Sequence, residues 1–194
     1  MQALNPAEQA LTADGAQPET ITLAGGCFWC VEAAFNAVDG VFEATSGYAQ
    51  GEVPQPTYEQ VCGGRTGHAE AVRIRFDPSR LSLDAVLAMF FTIHDPTTPN
   101  RQGADVGPQY RSGIYFENPA HEALVRAYIA RLAASGVYGG APISTEIEPL
   151  RVFWPAEGYH QRYFERHPDQ GYCQAVIAPK MVKLRQGFAE KLRA

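Results

Sequence analysis

Residues 19–40 read ETITLAGGCFWCVEAAFNAVDG, and this stretch decides the fold. Residues 20–24 alternate in polarity and are rich in β-branched side chains, the pattern of a half-buried strand. Gly25-Gly26 interrupts it. From there Phe28, Val31, Phe35 and Val38 recur at helical spacing until Asp39-Gly40 ends the run. The order is strand, glycine turn, helix, with Cys27 at the junction.

Outward from this unit, residues 41–48 read as a second strand. A long loop holding Gly51, Pro54 and Pro56 leads to a third strand at residues 68–76. Ser82 is placed to cap a helix whose apolar stripe is Leu83, Val86, Leu87, Phe90 and Phe91. Residues 95–109 are polar and rich in Pro and Gly, an unusually long loop of the kind that carries function. A strand follows at residues 111–116. Asn118-Pro119 then starts a helix with Leu124, Val125, Tyr128, Ile129 and Leu132 as its expected buried face, and residues 144–150 give a further strand.

The order β-α-β-β-α-β, followed by an added helix and strand, is the ferredoxin-like split βαβ arrangement, and the class is α+β. Beyond Phe153 the chain reads as an aromatic, loop-rich C-terminal extension, ending in a basic surface helix from residue 179. The resulting organisation is a mobile leader over 1–18, a catalytic unit over 19–178 and the C-terminal helix over 179–194.

A chain of 194 residues suffices for one ordinary hydrophobic core. With 45% hydrophobic and 19% charged residues it has the balance of a folded protein. A net charge of -5 without a basic run argues against a general nucleic-acid binder. The first twenty residues lack the basic start and apolar stretch of a signal peptide, and nothing approaches the roughly 20 apolar residues of a membrane span. The reading is a soluble, cytoplasmic protein without a membrane partner. Of the four cysteines only Cys27 and Cys30 lie close together, which does not resemble a secreted disulfide framework.

Cys27 sits at the first turn of a helix, where free N–H groups and the macrodipole favour a thiolate, so its pKa is expected below the roughly 8.5 of a free thiol. The competing reading is a small buried hydrophobe. Glu70 supplies the clearest phase argument. In a strand over 68–76 it shares a face with Val72, Ile74 and Phe76, while Arg73 and Arg75 point the other way. A carboxyl group desolvated in that manner stays protonated near neutrality and suits a proton donor to an oxygen leaving group; the alternative is a structural Glu paired with an Arg.

Tyr110 is in phase with Ile114 and Phe116, so its hydroxyl is expected to point inward, and Tyr58 falls in the earlier loop. Taken singly, each reads more readily as packing than as chemistry. Asp105 between Gly103 and Gly107 reads equally as a turn residue. Phe28 helps the core, whereas Trp29 lies off the stripe and is free to present its face to an apolar or thioether group. Cys30 completes a C-x-x-C pair, suggesting a dithiol in preference to half of a zinc site, because Cys62, Cys173 and the histidines are scattered. Cys62 reads as buried packing, and Cys173 lies in a Gly- and Tyr-rich tail able to carry a thiol to the site.

The stretch 25–35, GGCFWCVEAAF, closely resembles the active-site signature of the A-type peptide methionine sulfoxide reductases. SGYAQGEV, PTYEQVCGGRTGHAEAVRIRFDP, FFTIHDPTTPNRQGADVGPQYRSGIYF and PAEGYHQRYF follow in the family's order, so the resemblance spans roughly residues 20–178. It implies that Cys27 is the nucleophile and Glu70 the acid that protonates the sulfoxide oxygen. Tyr58 and Tyr110 would hydrogen-bond that oxygen, Asp105 would order the site, and Phe28 and Trp29 would hold the S-methyl group. The implied chemistry leaves a sulfenic acid on Cys27, which a second thiol converts to a disulfide that thioredoxin reduces. No metal or organic cofactor is required, and a monomer suffices.

Cys30 stands where many members have Gly. The tail position of Cys173 matches one used for recycling, so Cys173 is the preferred resolving thiol and Cys30 the alternative. A peroxide-reducing thiol enzyme and a redox-sensing interaction module are rival readings, and neither needs the inward acid.

Overall fold

The structure, a computed structural model, describes residues 17–193; the proposed leader lies outside the described residues up to residue 16. In chain order the elements are β1 (Glu19–Gly25), α1 (Phe28–Asn36), β2 (Val41–Ala49), α2 (Tyr58–Cys62), β3 (Ala69–Phe76), α3 (Leu83–Ile93), the short pair β4 (Arg101–Gln102) and β5 (Asp105–Val106), β6 (Ser112–Phe116), α4 (Ala120–Ala134), β7 (Glu146–Pro149), β8 (Phe153–Pro155), α5 (Tyr163–Arg166) and α6 (Ala178–Phe188).

The stretch that decides the fold lies at the centre of the molecule. β1 pairs antiparallel with β3 on one side, Ile21 opposite Ile74 and Leu23 opposite Val72, and with β6 on the other. The full sheet runs β7-β6-β1-β3-β2-β8, antiparallel throughout except between β6 and β7. The architecture is α+β, a mixed sheet with helices packed on it.

Period-two alternation divides the strand residues between two faces. Ile21, Leu23, Val72, Ile74, Phe76, Ile114 and Phe116 join the large core with Phe28, Val31 and Phe35 of α1 and Val86, Leu87 and Phe90 of α3. Ala24, Ala69, Ala71 and Tyr115 form a smaller cluster on the other face, covered by Leu150 and Phe153. A nine-residue helix such as α1 is marginal alone. Each fully buried Phe or Val contributes about 1.5–3 kcal/mol, so the core and not helix propensity holds α1 in place.

The Ser82 cap is present, its side chain accepting from the Ala85 amide. α4 begins one residue after Pro119, which is its N-cap without a side-chain bond, while Asn118 Oδ1 accepts the Ala120 amide from the position before. Several other expectations need correction. The 95–109 loop contains the β4–β5 hairpin and leads into a 3₁₀ turn at Pro108–Tyr110. The strand expected at 144–150 is shorter and lies parallel at the sheet edge as β7. On α4, Val125 and His121 are buried but Leu124 is 53% exposed, because the helix lies at the sheet's periphery and only part of its stripe is covered.

The segment after Phe153 is more structured than its composition suggested. β8 adds a strand beside β2, and a π-helical turn at Cys173–Ile177 runs directly into α6. α6 is docked by Met181 and Leu184, both buried, against α3 and α1. Among the described residues no helix is long and apolar enough to cross a membrane.

Candidate active site

The turn from β1 to α1 requires glycine twice. A Cβ on Gly25 would meet the Phe90 ring at 2.8 Å; on Gly26, at φ +87°, it would meet Gln102 Cβ and Cγ at 2.6 Å. These contacts press the turn against α3 and the β4–β5 hairpin and deliver Cys27 to the N-cap of α1. The Cys30 amide donates back to the Cys27 carbonyl at 3.1 Å, and the two thiols hydrogen-bond each other.

Glu70 projects from β3 on the large-core face, 2% exposed, in the phase expected from Val72, Ile74 and Phe76. Its Oε2 accepts the Phe28 amide at 3.0 Å, the first free N–H of α1. Burial is the main influence on its acidity. Together with the nearby charges of Asp105 and Cys30, and against the Phe28 bond, it pushes the carboxyl up to about 8. Glu70 is therefore largely neutral at pH 7.

The expectation of a low Cys27 pKa is overturned. The thiol is held well above its usual range, first by burial, then by its hydrogen bond to Cys30 and by the charges of Glu70 and Cys30. The helix-start argument left out burial, which outweighs what the helix start offers. Cys30 moves the other way: its hydrogen bond from Cys27 and the Lys180 side chain beside it favour the thiolate over the burial that opposes it. Ionisation within the thiol pair is thus favoured at Cys30 over Cys27.

The remaining sequence candidates converge on this point from separate elements. Tyr58 is not in a loop but is the first residue of α2, whose Thr57 capping box fixes its position. Tyr110 ends the 3₁₀ turn, so the strand phase used to orient it does not apply; it is half-buried, and its hydroxyl feels Glu70, Asp105 and Cys27. Burial and then, in part, the Glu70 charge raise both phenols above their usual range, leaving them neutral donors. Asp105 lies in β5 instead of a turn and accepts the Tyr172 hydroxyl at 2.7 Å. That hydroxyl also reaches the Cys27 thiol.

Phe28 is buried, whereas Trp29 is only partly so. Trp29 does not offer both faces. Tyr163 stacks on one at 3.8 Å between centroids and 5° between planes, Tyr172 meets the ring edge-on, and the indole N–H donates to His160 Nδ1 at 3.1 Å. Cys62, expected to be buried, is exposed at the end of α2 and hydrogen-bonds Tyr58. Cys173, expected on a mobile tail, is fully buried in the π-helical turn, and burial first, then the charge of Cys30, raise its pKa.

Residues 19–192 match the family model described as peptide methionine sulfoxide reductase. The chain belongs to that family. Peptide methionine sulfoxide reductase MsrA of Deinococcus radiodurans is 52% identical over 182 residues, covering 94% of this chain and 88% of the relative. Among solved structures, Mxr1 of Saccharomyces cerevisiae in reduced form matches with a TM-score of 0.75 and 36% identity, covering 85% of this chain and 94% of Mxr1. A complex of Mxr1 with Trx2 matches with a TM-score of 0.54 and 26% identity, covering 80% of this chain and 91% of that one.

This A-type peptide methionine sulfoxide reductase has site neighbours that the sequence reading did not single out. Glu157 accepts the Tyr48 hydroxyl at 2.6 Å and the Tyr58 amide at 2.9 Å. His160 holds Trp29, Tyr172 spans Asp105 and Cys27, and Lys180 accompanies Cys30. Glu157 and His160 sit inside PAEGYHQRYF, where two polar side chains within an aromatic run were the available signal.

Proposed function

We propose that this reductase converts methionine S-sulfoxide, free or within peptides and proteins, to methionine, and so reverses oxidative damage. Cys27 is the nucleophile and Glu70 the proton donor. The observation that carries the reading is a buried carboxyl group on the apolar face of β3, bonded to the amide that adjoins Cys27, with burial pushing its pKa up to about 8.

In the first step the Cys27 sulfur attacks the sulfoxide sulfur, its proton passing to the Cys30 thiolate, while Glu70 protonates the sulfoxide oxygen. Tyr58 and Tyr110 donate hydrogen bonds to that oxygen as it gains charge, the role for which neutral phenols are suited. Phe28 and the uncovered side of Trp29 receive the S-methyl group, and Asp105 orders the site through Tyr172. Oxygen transfer leaves methionine and a Cys27 sulfenic acid, so the sulfoxide sulfur is reduced by two electrons and Cys27 is oxidised by two.

Cys30, the alternative resolving thiol of the sequence reading, takes the first role in place of Cys173 because its thiol touches that of Cys27, whereas Cys173 is buried in the π-helical turn. It condenses with the sulfenic acid, releasing water and forming a disulfide. That disulfide is deep, since Cys27 is 8% and Cys30 1% exposed. Cys173 then attacks Cys30 by thiol–disulfide exchange and carries the disulfide to the tail, where a π-helical turn is the element suited to local unwinding. A thioredoxin supplies the reducing dithiol, in line with the Mxr1–Trx2 complex. The core order β6-β1-β3-β2 supports the ferredoxin-like split βαβ reading, with α6 part of the catalytic unit.

The test offers resolved S and R epimers of a blocked methionine sulfoxide with dithiothreitol. The S epimer alone is consumed, by wild type and not by Cys27→Ser. Equal consumption of both epimers, or turnover by the Ser variant, refutes the mechanism.

A further inference from the structure

The segment that crosses the site, residues 156–163, is tied to three elements by polar side chains. Glu157 holds Tyr48 of β2 and the Tyr58 amide of α2, Gln161 brackets Ser46 through its amide and carbonyl, and the Tyr163 amide donates to Glu32 of α1. His160 makes the remaining tie. It is 1% exposed, and its ring lies 4.5 Å from Tyr58, 5.0 Å from Phe28 and 5.6 Å from Trp29, measured between centroids.

The indole N–H can only donate, so His160 Nδ1 must carry a lone pair and the ring proton resides on Nε2. Nε2 is buried without a hydrogen-bond partner, the Glu157 carboxylate lying 3.9 Å away. Core packing alone does not account for a buried imidazole that leaves one donor unsatisfied, a state that costs roughly 1–3 kcal/mol. The satisfied nitrogen is the one that fixes Trp29. With Tyr163 stacked on one indole face, rotation of Trp29 about its side chain is blocked by a ring contact and a directional bond together.

We propose that His160 is a positioning residue for substrate: as the Nε2–H tautomer it locks the Trp29 indole in the plane that receives the S-methyl group, with Phe28 and Tyr58 packed around the same imidazole. The role rests on the sulfoxide-reducing function proposed above. It concerns binding of the sulfoxide and not proton transfer, since His160 reaches the reacting atoms only through Trp29, Phe28 and Tyr58.

Two substitutions separate the acceptor from the ring. His160→Phe keeps an aromatic ring and loses Nδ1; His160→Asn loses the ring but places Oδ1 where Nδ1 stands. Single-turnover methionine formation from a blocked methionine S-sulfoxide is followed at increasing substrate concentration, together with the 15N–1H indole signals of the chain's two tryptophans, assigned with Trp29→Phe. Loss of one buried hydrogen bond corresponds to about a five- to tenfold rise in half-saturating sulfoxide for His160→Phe. Its maximal single-turnover rate stays within about threefold of wild type, its Trp29 indole signal moves, and His160→Asn restores the half-saturation to within about threefold.

An unchanged half-saturation in folded His160→Phe, or a fall in maximal rate with half-saturation unmoved, overturns the inference. If His160→Phe does not fold, the wild type still decides it: a Trp29 indole proton exchanging as fast as a free indole overturns it, and a protected one supports it. Failure of the wild type to reduce the sulfoxide would instead remove the function on which the inference rests.

Discussion

Glu70→Gln is expected to make the protein more stable at pH 8 and nearly inactive, and the size of the first effect follows from the carboxyl's surroundings. Burial carries its pKa from an ordinary 4.5 to about 8. In the unfolded chain the group ionises near its ordinary value, so between those limits folding must take up a proton. The sign is fixed: below pH 4.5 both states are protonated and nothing is lost, stability declines as pH rises from there, and above about 8 the loss is complete. At about 1.4 kcal/mol per pH unit the full interval amounts to roughly 4–5 kcal/mol. Glutamine has no proton to take up, and its Oε1 can still accept the Phe28 amide. Its extra N–H groups cost the same at every pH, so a gain of about 2–4 kcal/mol is expected at pH 8 and a deficit of about 0–2 kcal/mol at pH 4.5. Urea unfolding of both proteins across this range measures the difference. Parallel curves, offset equally at every pH, would show that folding leaves the Glu70 pKa unshifted and would refute the assignment of a neutral acid. Single-turnover methionine formation by the variant falls by about 10²–10⁴, the usual worth of a positioned acid, while wild-type activity declines as pH passes about 8.

Cys173→Ser, with Cys30 intact, is expected to release one equivalent of methionine per chain and form a Cys27–Cys30 disulfide visible by mass spectrometry, yet to lose thioredoxin-supported turnover; full turnover would show that the reductant attacks the deep disulfide directly. Gly26→Ala adds a Cβ at φ +87° that meets Gln102 at 2.6 Å, and urea unfolding is expected to report a destabilisation of about 1–3 kcal/mol. Tyr172→Phe removes hydrogen bonds to Asp105 and to the Cys27 thiol. Because the second of these lowers the Cys27 pKa, the midpoint of its alkylation by iodoacetamide should move to higher pH in this variant, and a downward or absent move would contradict the contact.

What could be read from the sequence was whatever a local period controls. Glu70 was legible because a strand repeats every two residues, so its face is set by Val72 and Ile74 whatever lies beyond. Phe28, Val31 and Phe35 were legible because the helix repeat fixes theirs. Tyr110 escaped this logic, since Pro108–Tyr110 is a 3₁₀ turn and the strand phase begins only at Ser112. Cys27 was misjudged for a different reason: its acidity is set first by burial, then by its contact with Cys30 and by the charge of Glu70, 43 positions away. Tyr172, Glu157 and His160 lie in a segment without a repeat, and their partners are 67 to 131 positions distant. No local pattern encodes such contacts.

The acid and the thiol are better understood as one electrostatic system than as separate residues. Cys27, Cys30, Glu70 and Asp105 can each bear a negative charge, and they interact in a buried site where like charges disfavour one another. Lys180 is the cation that acts on this group, and it acts on Cys30. Ionisation of the thiol pair is thereby drawn to Cys30, and that charge in turn helps keep Glu70 and Cys27 protonated. The consequence is chemical. A sulfoxide entering the site meets an acid that already holds the proton its oxygen needs, and a nucleophile whose own proton has an adjacent base to receive it, so the first step requires no water and no net change in the charge of the site.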